Sequence, residues 1–328
     1  MTLKTMTALT AGCAALALLA GCGGGGSGNA EAAGSGETRI VTDATGADIV
    51  IPAQPQSVAT LHYAATETLM DLGLTPVGQG EYQEASVPQG WVDRLGEVPV
   101  VATDEPDIER LATTDPDLIL APNTLDSGVV DQLEDIAPVY QFTLRGGDRA
   151  NWKQRVGEVA DAVNRSAELK ALDDAFVAEQ TRISEEYSDV TDGTTIATLS
   201  SFTENTAYLW GSGNMLGTIY DPLGLTWSAD EDRVIAENAE AAEPEAEVSL
   251  ELVDKAAGDA DIVFVTSNLR GEYDELSTAL MDSPVFARLP AAQAGNVYPN
   301  GKSTIAGYSD ANYSLEMVEQ ALQAYRQR

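Results

Sequence analysis

The sequence predicts an α/β protein with two Rossmann-like lobes joined by a single long helix. Short runs rich in β-branched residues alternate with longer amphipathic stretches, which is typical of parallel sheets with helices on their faces. The order of these elements in the first half of the chain recurs in the second half. Between the halves lies an amphipathic stretch of about twenty residues with helical periodicity.

The first half begins with a strand, a helix and a second strand. The helix from Ala64 to Leu72 is followed by Gly73, and glycine favours the left-handed conformation that ends many helices. Strands are predicted at residues 57–61, from Pro76 onward, at 117–121 and at 139–144, and a further short helix at 108–112. This alternation predicts a parallel sheet.

The second half repeats the opening of the first. A strand at 195–199 corresponds to the strand at 57–61. A helix near 216–222 is followed by Gly224 between two leucines, as the first helix is followed by Gly73 between two leucines. The two halves are therefore expected to have similar folds.

Two later pairs of residues keep the same order. Glu109 begins a short helix before the strand at 117–121, and Glu251 takes the same place before a strand at 261–265. The loops after these strands carry Asn123 and Asn268. Each match is weak alone, but the shared order indicates two comparable lobes.

The connecting helix has one apolar face, because its apolar residues recur at spacings of three, four and seven. These residues are Leu169, Leu172, Phe176, Ile183 and Tyr187. Ser166 is the predicted N-cap, and Gly193 follows the end of the stretch. About twenty residues at 1.5 Å each span ~30 Å, the width of a small domain. The alternative is one packed helix inside a single large domain.

The N-terminus resembles a bacterial lipoprotein leader. Lys4 precedes an apolar run over 8–20 that is shorter than the ~20 residues a membrane span needs. Leu19-Ala20-Gly21-Cys22 matches a lipobox, which predicts a signal peptide over 1–21 and lipidation at Cys22. A lipidated cysteine with a second acyl chain gives stable membrane anchoring. An ordinary signal peptide with an incidental cysteine is the alternative.

The rest of the chain divides by composition and periodicity. Residues 22–37 hold the lipidated cysteine and a flexible tether of small and polar residues. The predicted folded parts are an N-terminal lobe over 38–150, a connecting helical region over 151–192 and a C-terminal lobe over 193–328. The other cysteine, Cys13, lies in the leader, so no disulfide or thiolate site is expected after processing.

The charge of the chain excludes one class of partner. The sequence has 52 acidic and 18 basic side chains, and nucleic-acid binding needs clustered Lys and Arg. Solubility is the simple explanation of the acidity. A positive cleft would have to be built from few arginines.

Four stretches in register resemble the ferric-siderophore and cobalamin binding proteins of ABC importers: residues 55–78, 107–120, 208–217 and 286–298. The resemblance covers the whole chain after the tether. It implies the helix-linked periplasmic-binding-protein fold, with a ligand held between the lobes and delivered to a permease dimer. By motif position it implies that Glu109 and Glu251 dock onto that permease. A carboxylate at a helix start is also favoured by the helix dipole, which is the alternative explanation.

Ligands of α/β lobes gather at the carboxyl ends of strands, so binding residues are expected in the loops after the strands. Tyrosine and tryptophan offer rigid apolar faces, and arginine pairs with carboxylate or catecholate oxygens. The candidate ligand-binding residues are His62, Tyr63, Tyr82, Arg145, Trp210, Arg233, Arg270, Lys302 and Tyr308. For each of them, an exposed loop side chain without a ligand is the alternative. Direct ligation of iron by His62 is not expected, so no direct metal site and no cofactor are predicted.

Other function classes fit the sequence less well. A zinc or manganese carrier usually needs several imidazoles, and the chain has one histidine. An enzyme with a Ser-His-Asp triad would depend on His62 alone, and no Gly-x-Ser-x-Gly elbow precedes a helix. Gly301-Lys302-Ser303 lacks the spacing of a phosphate loop and is interpreted as a turn.

The predicted function is therefore capture of a ferric siderophore by a lipoprotein outside the cytoplasm, without catalysis. Haem and cobalamin are the alternative ligands. The small number of arginines favours a neutral or cationic chelate, such as a hydroxamate, over an anionic tris-catecholate.

Overall fold

The computed structural model describes residues 36–146, 148, 150–239 and 243–328. The predicted leader over 1–21, the lipidation site Cys22 and most of the tether lie outside the described residues. Within the described ranges, no helix combines the length and the apolar character that crossing a membrane requires.

The first half contains a small parallel sheet. The strands of this half are β1 (Thr38–Thr42), β2 (Asp48–Pro52), β3 (Val58–Thr60), β4 (Gln79–Gly80), β5 (Val100–Ala102), β6 (Leu118–Pro122) and β7 (Val139–Phe142). The helices of this half are α1 (Tyr63–Asp71), α2 (Val92–Gly96), α3 (Ile108–Ala112) and α4 (Ser127–Glu134). Strands β3, β6 and β7 pair in parallel in that order. The β4–β5 pair is also parallel, whereas β1 and β2 form an antiparallel hairpin. The predicted strand and helix order of this half is confirmed.

Three helices follow the first half: α5 (Trp152–Ala162), α6 (Ser166–Glu186) and α7 (Ser188–Thr191). Helix α6 is the predicted connecting helix and has 21 residues. The predicted N-cap residue, Ser166, is wrong. Ser166 is the first helical residue, and Arg165 occupies the N-cap position without a side-chain cap bond. The Ser166 hydroxyl is therefore one residue too far into the helix to cap it.

The second half contains the larger sheet. Its strands are β8 (Thr195–Ser200), β9 (Thr206–Leu209), β10 (Thr226–Trp227), β11 (Ala246–Ser249), β12 (Ile262–Val265) and β13 (Val297–Pro299), and its helices are α8 (Gly217–Tyr220), α9 (Ala229–Asn238), α10 (Val253–Ala256), α11 (Glu275–Met281), α12 (Pro290–Gln293) and α13 (Tyr308–Arg326). The strand order is β11-β9-β8-β12-β13, with β10 also paired to β8. Strands β8, β10, β12 and β13 are parallel to one another, whereas β9 runs antiparallel to both of its neighbours, β8 and β11.

The internal repeat extends to individual hydrogen bonds. In the first half, the Asp117 carboxylate before β6 accepts from the Ser57 backbone N–H before β3, at 3.0 Å. In the second half, the Asp261 carboxylate before β12 accepts from the Thr195 N–H at the start of β8, at 2.9 Å. Strand β3 pairs with β6 as β8 pairs with β12. The two sheets are thus built around equivalent strand pairs.

The two asparagines of the repeat also have matching roles. The Asn123 side chain accepts from the Leu144 and Arg145 backbone N–H groups and so joins the loops after β6 and β7. The Asn268 side chain accepts from the Arg270 and Glu272 N–H groups and closes the loop after β12. Both asparagines therefore order a loop at the carboxyl end of a buried strand.

Helix α6 packs against the cores of both halves. Leu169 and Leu172 contact the apolar cluster around β3 and β6 and also the cluster around β8 and β12. Farther along, Phe176 and Ile183 are fully buried in the second of these clusters. The Gln180 side chain donates to the Thr218 and Ile219 carbonyls, at 3.0 Å each. The helix is therefore fixed by packing along most of its length.

Candidate ligand-binding site

A cavity of about 670 Å³ lies at the carboxyl ends of strands from both halves. The first half contributes α1 and the loop after β4, and the second half contributes the loops after β8, β9, β12 and β13. The lining residues are Tyr63, Glu67, Glu81, Tyr82, Gln83, Ala85, Ser86, Phe202, Trp210, Thr266, Ser267, Asn268, Glu272, Tyr273, Asp274, Lys302, Ser303 and Thr304. A space of this size holds a drug-sized or larger molecule.

Two glycines allow the loops around the cavity to approach closely. A Cβ on Gly80 would lie 2.7 Å from the His62 Cα, so only glycine lets β4 pass the loop after β3. Gly301 has a φ of 75°, and a Cβ there would lie 2.7 Å from the Tyr313 ring. The Gly301-Lys302-Ser303 segment is a loop that bends at Ser303, and both Lys302 and Ser303 line the cavity.

Three aromatic rings form one side of the cavity. Phe202 and Trp210 line it directly, with ring centroids 6.1 Å apart at a nearly perpendicular angle. Tyr208 lies behind them, 4.8 Å from the Trp210 ring and 5.3 Å from the Phe202 ring. Phe202 is 55% exposed, which is unusual for a phenylalanine in a packed cluster. This aromatic wall offers an apolar face to a ligand.

A row of hydroxyl groups continues from the wall across the base of the cavity. The Trp210 indole N–H donates to the Ser200 hydroxyl at 2.7 Å. The Ser200 hydroxyl bonds with that of Thr266, which in turn bonds with that of Ser303. The row connects strands β8 and β12 to the turn after β13. It therefore fixes the ring plane of Trp210 relative to the loops of the second half.

A buried carboxyl group supports the same wall from behind. Glu231, on α9, is fully buried and accepts weak bonds from the backbone N–H groups of Thr198, Trp210 and Gly211, at 3.2–3.3 Å. Burial raises the pKa of Glu231 to about 8, although these backbone N–H groups act in the opposite direction. The side chain thus holds the end of β9 in place.

This raised pKa predicts a pH-dependent stability. Folded Glu231 keeps its proton up to about pH 8, whereas an unfolded glutamate loses it near 4.5. Between those values the folded state binds more protons, so a rise in pH lowers the free energy of unfolding, by up to about 1.4 kcal/mol per pH unit from this group. The Glu231→Gln variant is therefore expected to become more stable relative to the unaltered chain as pH rises from 5 to 8. Urea unfolding at several pH values measures this.

The control for that experiment is Glu237→Gln, since Glu237 lies exposed on the same helix α9. Its stability difference from the unaltered chain should stay constant over the same pH range. A Glu231→Gln difference that is equally constant would contradict the pH dependence.

A buried ion pair joins the two halves beside the cavity. The Lys302 ammonium group contacts the Glu67 carboxylate of α1 at 2.6 Å and the Asp310 carboxylate of α13 at 2.8 Å, and it donates to the Ser86 carbonyl at 3.2 Å. Burial alone would lower the pKa of Lys302, but the Asp310 and Glu67 carboxylates outweigh it and raise that pKa. Lys302 is therefore charged and fully engaged.

Further contacts link α1 to the start of α13. The Asp71 carboxylate accepts from the Ser309 backbone N–H at 3.2 Å and from the Ser309 hydroxyl. The Thr68 hydroxyl donates to the Ala306 carbonyl at 3.2 Å. Burial raises the pKa of Asp71 to about 6, even though the bonds from Ser309 lower it. Polar contacts thus hold α1 of the first half to the start of α13 in the second half.

Comparison with known proteins agrees with this architecture. The periplasmic binding protein family matches residues 58–303, which is most of the chain. The chain belongs to this family. It is also similar to the solved structure of a siderophore periplasmic binding protein from the fuscachelin gene cluster of Thermobifida fusca, with a TM-score of 0.71, 26% identity and coverage of 84% of this chain and 98% of that one.

Two relatives from Bacillus subtilis (strain 168) match over most of their length. The protein named as probable siderophore-binding lipoprotein YfiY is 25% identical over 93% of this chain and 94% of its own. The Fe(3+)-citrate-binding protein YfmC is 26% identical over 82% of this chain and 80% of its own. As a member of the periplasmic binding protein family, the chain has the helix-linked two-lobed fold, with α6 as the connecting helix.

The cavity of this family member brings together four of the nine predicted ligand-binding residues: Tyr63, Tyr82, Trp210 and Lys302. They come from both halves and from four different loops or helix starts. Their contact with a ligand stays a prediction, because the cavity shows only that they line the same space.

His62 and Tyr308 lie outside the cavity lining. His62 caps α1, and its Nδ1 accepts from the Ala64 N–H at 3.1 Å. Burial, with Arg155 and Arg145 nearby, lowers the pKa of His62 to about 4, so the ring is neutral at physiological pH. Tyr308 is buried, and its hydroxyl donates to Asp173 at 2.8 Å. Both side chains therefore have structural roles here, and their contact with a ligand stays a prediction.

The three predicted arginines also lie outside the lining. Arg145 is exposed in the loop that Asn123 orders. Arg233 is exposed on α9 and pairs with Asp230 at 2.8 Å. Arg270 lies at the edge of the cavity, where its guanidinium donates to the Val87 carbonyl at 2.8 Å. None of the three belongs to the described lining, and their contact with a ligand stays a prediction.

Sequence reasoning missed most of the lining. Glu67 lies in the middle of α1, where nothing in the sequence distinguishes it from the other glutamates. Phe202, Thr266, Ser267 and Ser303 follow predicted or observed strands, so their position alone was a usable signal. The sequence criteria favoured aromatic and charged residues, so small hydroxyl residues after strands were not predicted.

The two predicted docking residues occupy corresponding exposed places. Glu109 is in the first turn of α3, behind the N-cap Asp107. Glu251 is in a one-turn 3-10 helix over 250–252, behind the N-cap Ser249. Glu109 precedes β6 and Glu251 precedes β12, the equivalent strands of the two sheets. Their equivalence within the repeat is observed, whereas their contact with a permease stays a prediction.

Proposed function

We propose that this chain is the substrate-binding lipoprotein of an ABC importer and that it carries a ferric siderophore in the cavity between its lobes. The observation that carries the proposal is a 670 Å³ cavity lined from both halves at the carboxyl ends of their strands, in a member of the periplasmic binding protein family. The cavity is far larger than a single ion, so the ligand is a bulky molecule that brings its iron already chelated. The names of the relatives support a siderophore.

The lining favours binding over chemical conversion. The aromatic wall provides apolar contact area, and the hydroxyl row and the loop amides provide hydrogen bonds that orient a ligand. The Lys302 ammonium group is held within the protein by the buried carboxyl groups of Glu67 and Asp310. We therefore propose that the ligand leaves unchanged and that no catalytic residue or cofactor takes part. Haem and cobalamin remain the alternative ligands.

Delivery follows from the proposed docking residues and anchor. In this scheme the lobes cover 38–150 and 193–328, with the connecting region over 151–192 between them. Lipid on Cys22 and the tether over 22–37 hold the protein at the outer face of the cell membrane. Glu109 and Glu251 then contact a permease dimer, one through each lobe. The related lipoprotein YfiY supports the anchored location.

Titration of tryptophan fluorescence tests the ligand class. Ferric hydroxamate, catecholate and carboxylate complexes, haem and cobalamin are added in turn, and we expect a ferric siderophore to quench with the highest affinity. Saturable quenching by haem or cobalamin alone would favour those alternatives. A protein that binds none of these ligands would contradict the proposed function.

Trp210 reports on the same site, since it lines the cavity. Because quenching by a ferric chelate falls with distance, the Trp210→Phe variant is expected to lose most of the signal while keeping the overall fold. Trp227→Phe is the matched control, as Trp227 lies away from the lining and bonds to Asp221 at 2.7 Å. Quenching of Trp210→Phe equal to that of the control would remove Trp210 from the site.

A further inference from the structure

The cavity is acidic where it opens to solvent. Its described lining contains the carboxylates of Glu67, Glu81, Glu272 and Asp274 and a single ammonium group, that of Lys302. A bound ligand displaces water from around these groups. The electrostatic interactions of the charged groups with one another and with the ligand are then stronger than in water. The charge balance of the lining therefore bears on the charge of the ligand.

Lys302 has no hydrogen-bond donor left for a ligand. An ammonium group carries three N–H donors. In this structure those donors are directed to Glu67, to Asp310 and to the Ser86 carbonyl, at 2.6–3.2 Å. The single cation of the described lining is thus paired within the protein. An anionic ligand would have to break a buried ion pair to use it.

The nearest arginine at the edge is also engaged. Arg270 donates to the Val87 carbonyl at 2.8 Å and to the Glu84 carbonyl at 3.4 Å, and the adjacent Leu269 N–H donates to the Ala85 carbonyl at 2.9 Å. These contacts hold the edges of the two halves together. The guanidinium therefore helps to hold this edge closed, and Arg270 is not part of the lining.

Three carboxylates, by contrast, are available. Glu81 from the first half and Glu272 and Asp274 from the second are exposed at the rim. Glu272 accepts from the Asn268 side chain at 3.0 Å, and Asp274 caps α11 through the Ser277 N–H at 2.6 Å. No Lys or Arg of the described residues forms an ion pair with any of the three. Each keeps its negative charge free to meet a ligand.

The aromatic residues add a second, independent preference. Phe202, Trp210, Tyr82 and Tyr273 line the same space, and ring faces attract ammonium and guanidinium groups. An anion gains nothing from such a face. Rim carboxylates and aromatic walls therefore select for the same sign of ligand charge.

We propose that the ferric chelate carried by this chain bears a positively charged arm, an ammonium or guanidinium group, which the rim carboxylates Glu81, Glu272 and Asp274 receive. This inference rests on the proposed function and specifies its ligand. Selectivity arises because an anionic ferric chelate, such as a citrate complex, meets the acidic rim while the described lining offers no unpaired cation, and the nearest arginine, Arg270, lies outside that lining. The proposed ligand thus differs in charge from ferric citrate, the ligand given in the name of the relative YfmC.

The test uses one chelate scaffold in three charge states. Ferrioxamine B carries one free ammonium group; acetylation of that amine removes the charge, and succinylation reverses it. We expect ferrioxamine B to bind about tenfold more tightly than its acetylated form at low salt, and the succinylated form to bind most weakly. The difference should shrink as salt is added, because the rim is exposed. Fluorescence quenching gives all three affinities.

The variants locate the effect. Glu81→Gln with Glu272→Gln should remove most of the preference for the free amine, while Asp274 is kept because it caps α11. The control is Glu134→Gln with Glu185→Gln, which changes the net charge equally at exposed positions outside the lining. The control should keep the preference. Equal loss in both pairs would assign the effect to net charge and overturn the assignment to the rim.

Other outcomes separate the inference from the proposed function. Equal or tighter binding of the acetylated or succinylated form, or tighter binding of ferric citrate than of ferrioxamine B, overturns the charged arm and leaves a siderophore carrier in place. Failure of every ferric chelate to bind rejects the proposed function, and the inference with it.

Discussion

Replacing Glu109 and Glu251 with alanine together is expected to abolish ligand uptake while leaving ligand affinity unchanged. Both carboxylates are exposed and occupy equivalent places in the two halves, and neither lines the cavity. If each pairs with a permease arginine, losing both removes the charge complementarity that brings the two proteins together. Uptake of a radioactive iron complex by cells, compared with affinity of the purified protein, measures the two effects separately.

The control pair is Glu134→Ala with Glu185→Ala, which removes the same charge from exposed positions elsewhere. Cells with the control should take up iron normally. Each single variant, Glu109→Ala or Glu251→Ala, should be impaired less than the double variant. Normal uptake by the double variant would reject the docking role, and reduced ligand affinity would show that the substitutions disturb the fold.

The second large effect concerns the buried ion pair. Lys302→Met is expected to lower the free energy of unfolding by about 3–5 kcal/mol, because it leaves two buried carboxylates without a partner. The side chains of Glu67 and Asp310 are 3% and 0% exposed, and that of Lys302 is 11% exposed. These three side chains are therefore largely shielded from solvent. Urea unfolding of the ligand-free protein measures the change.

Two further variants test the cause of that loss. Neutralising the carboxylates as well, with Glu67→Gln and Asp310→Asn on the Lys302→Met background, should recover part of the stability, since no buried charge then remains. Lys170→Met removes an ammonium from a surface pair with Asp174 whose side chains are 73% and 65% exposed, and it should cost less than about 1 kcal/mol. A Lys302→Met protein as stable as Lys170→Met would contradict the role of the buried pair.

Local patterns in the sequence were sufficient for much of the fold. Helix α3 begins and ends at the predicted residues, and Gly73 and Gly224 both have a φ near 80° at the ends of their helices. These features depend on a few neighbouring residues. Apolar spacing likewise predicted the connecting helix, because Phe176 and Ile183 are buried where the period requires. The N-cap error at Ser166 is local too, a shift of one residue.

The site was less predictable because its geometry depends on distant contacts. Glu67 and Lys302 are 235 residues apart in sequence, and only the packing of α1 beside α13 brings them together. Tyr308 is of a residue type that often lines clefts, yet its ring is buried and its hydroxyl donates to Asp173 on α6. The types of residue that follow a strand indicate at which end of the sheet a ligand binds. The direction of each side chain, in contrast, is decided by tertiary packing.

The shared contacts of α6 have a consequence for protein engineering. Leu169 and Leu172 contribute to the apolar cores on both sides, so neither half is a module that can be exchanged alone. A chimera that takes one half from a relative would have to bring a helix whose side chains fit the retained core, together with matched partners for Lys302. Recombination points placed on either side of α6 would separate residues that pack as one unit.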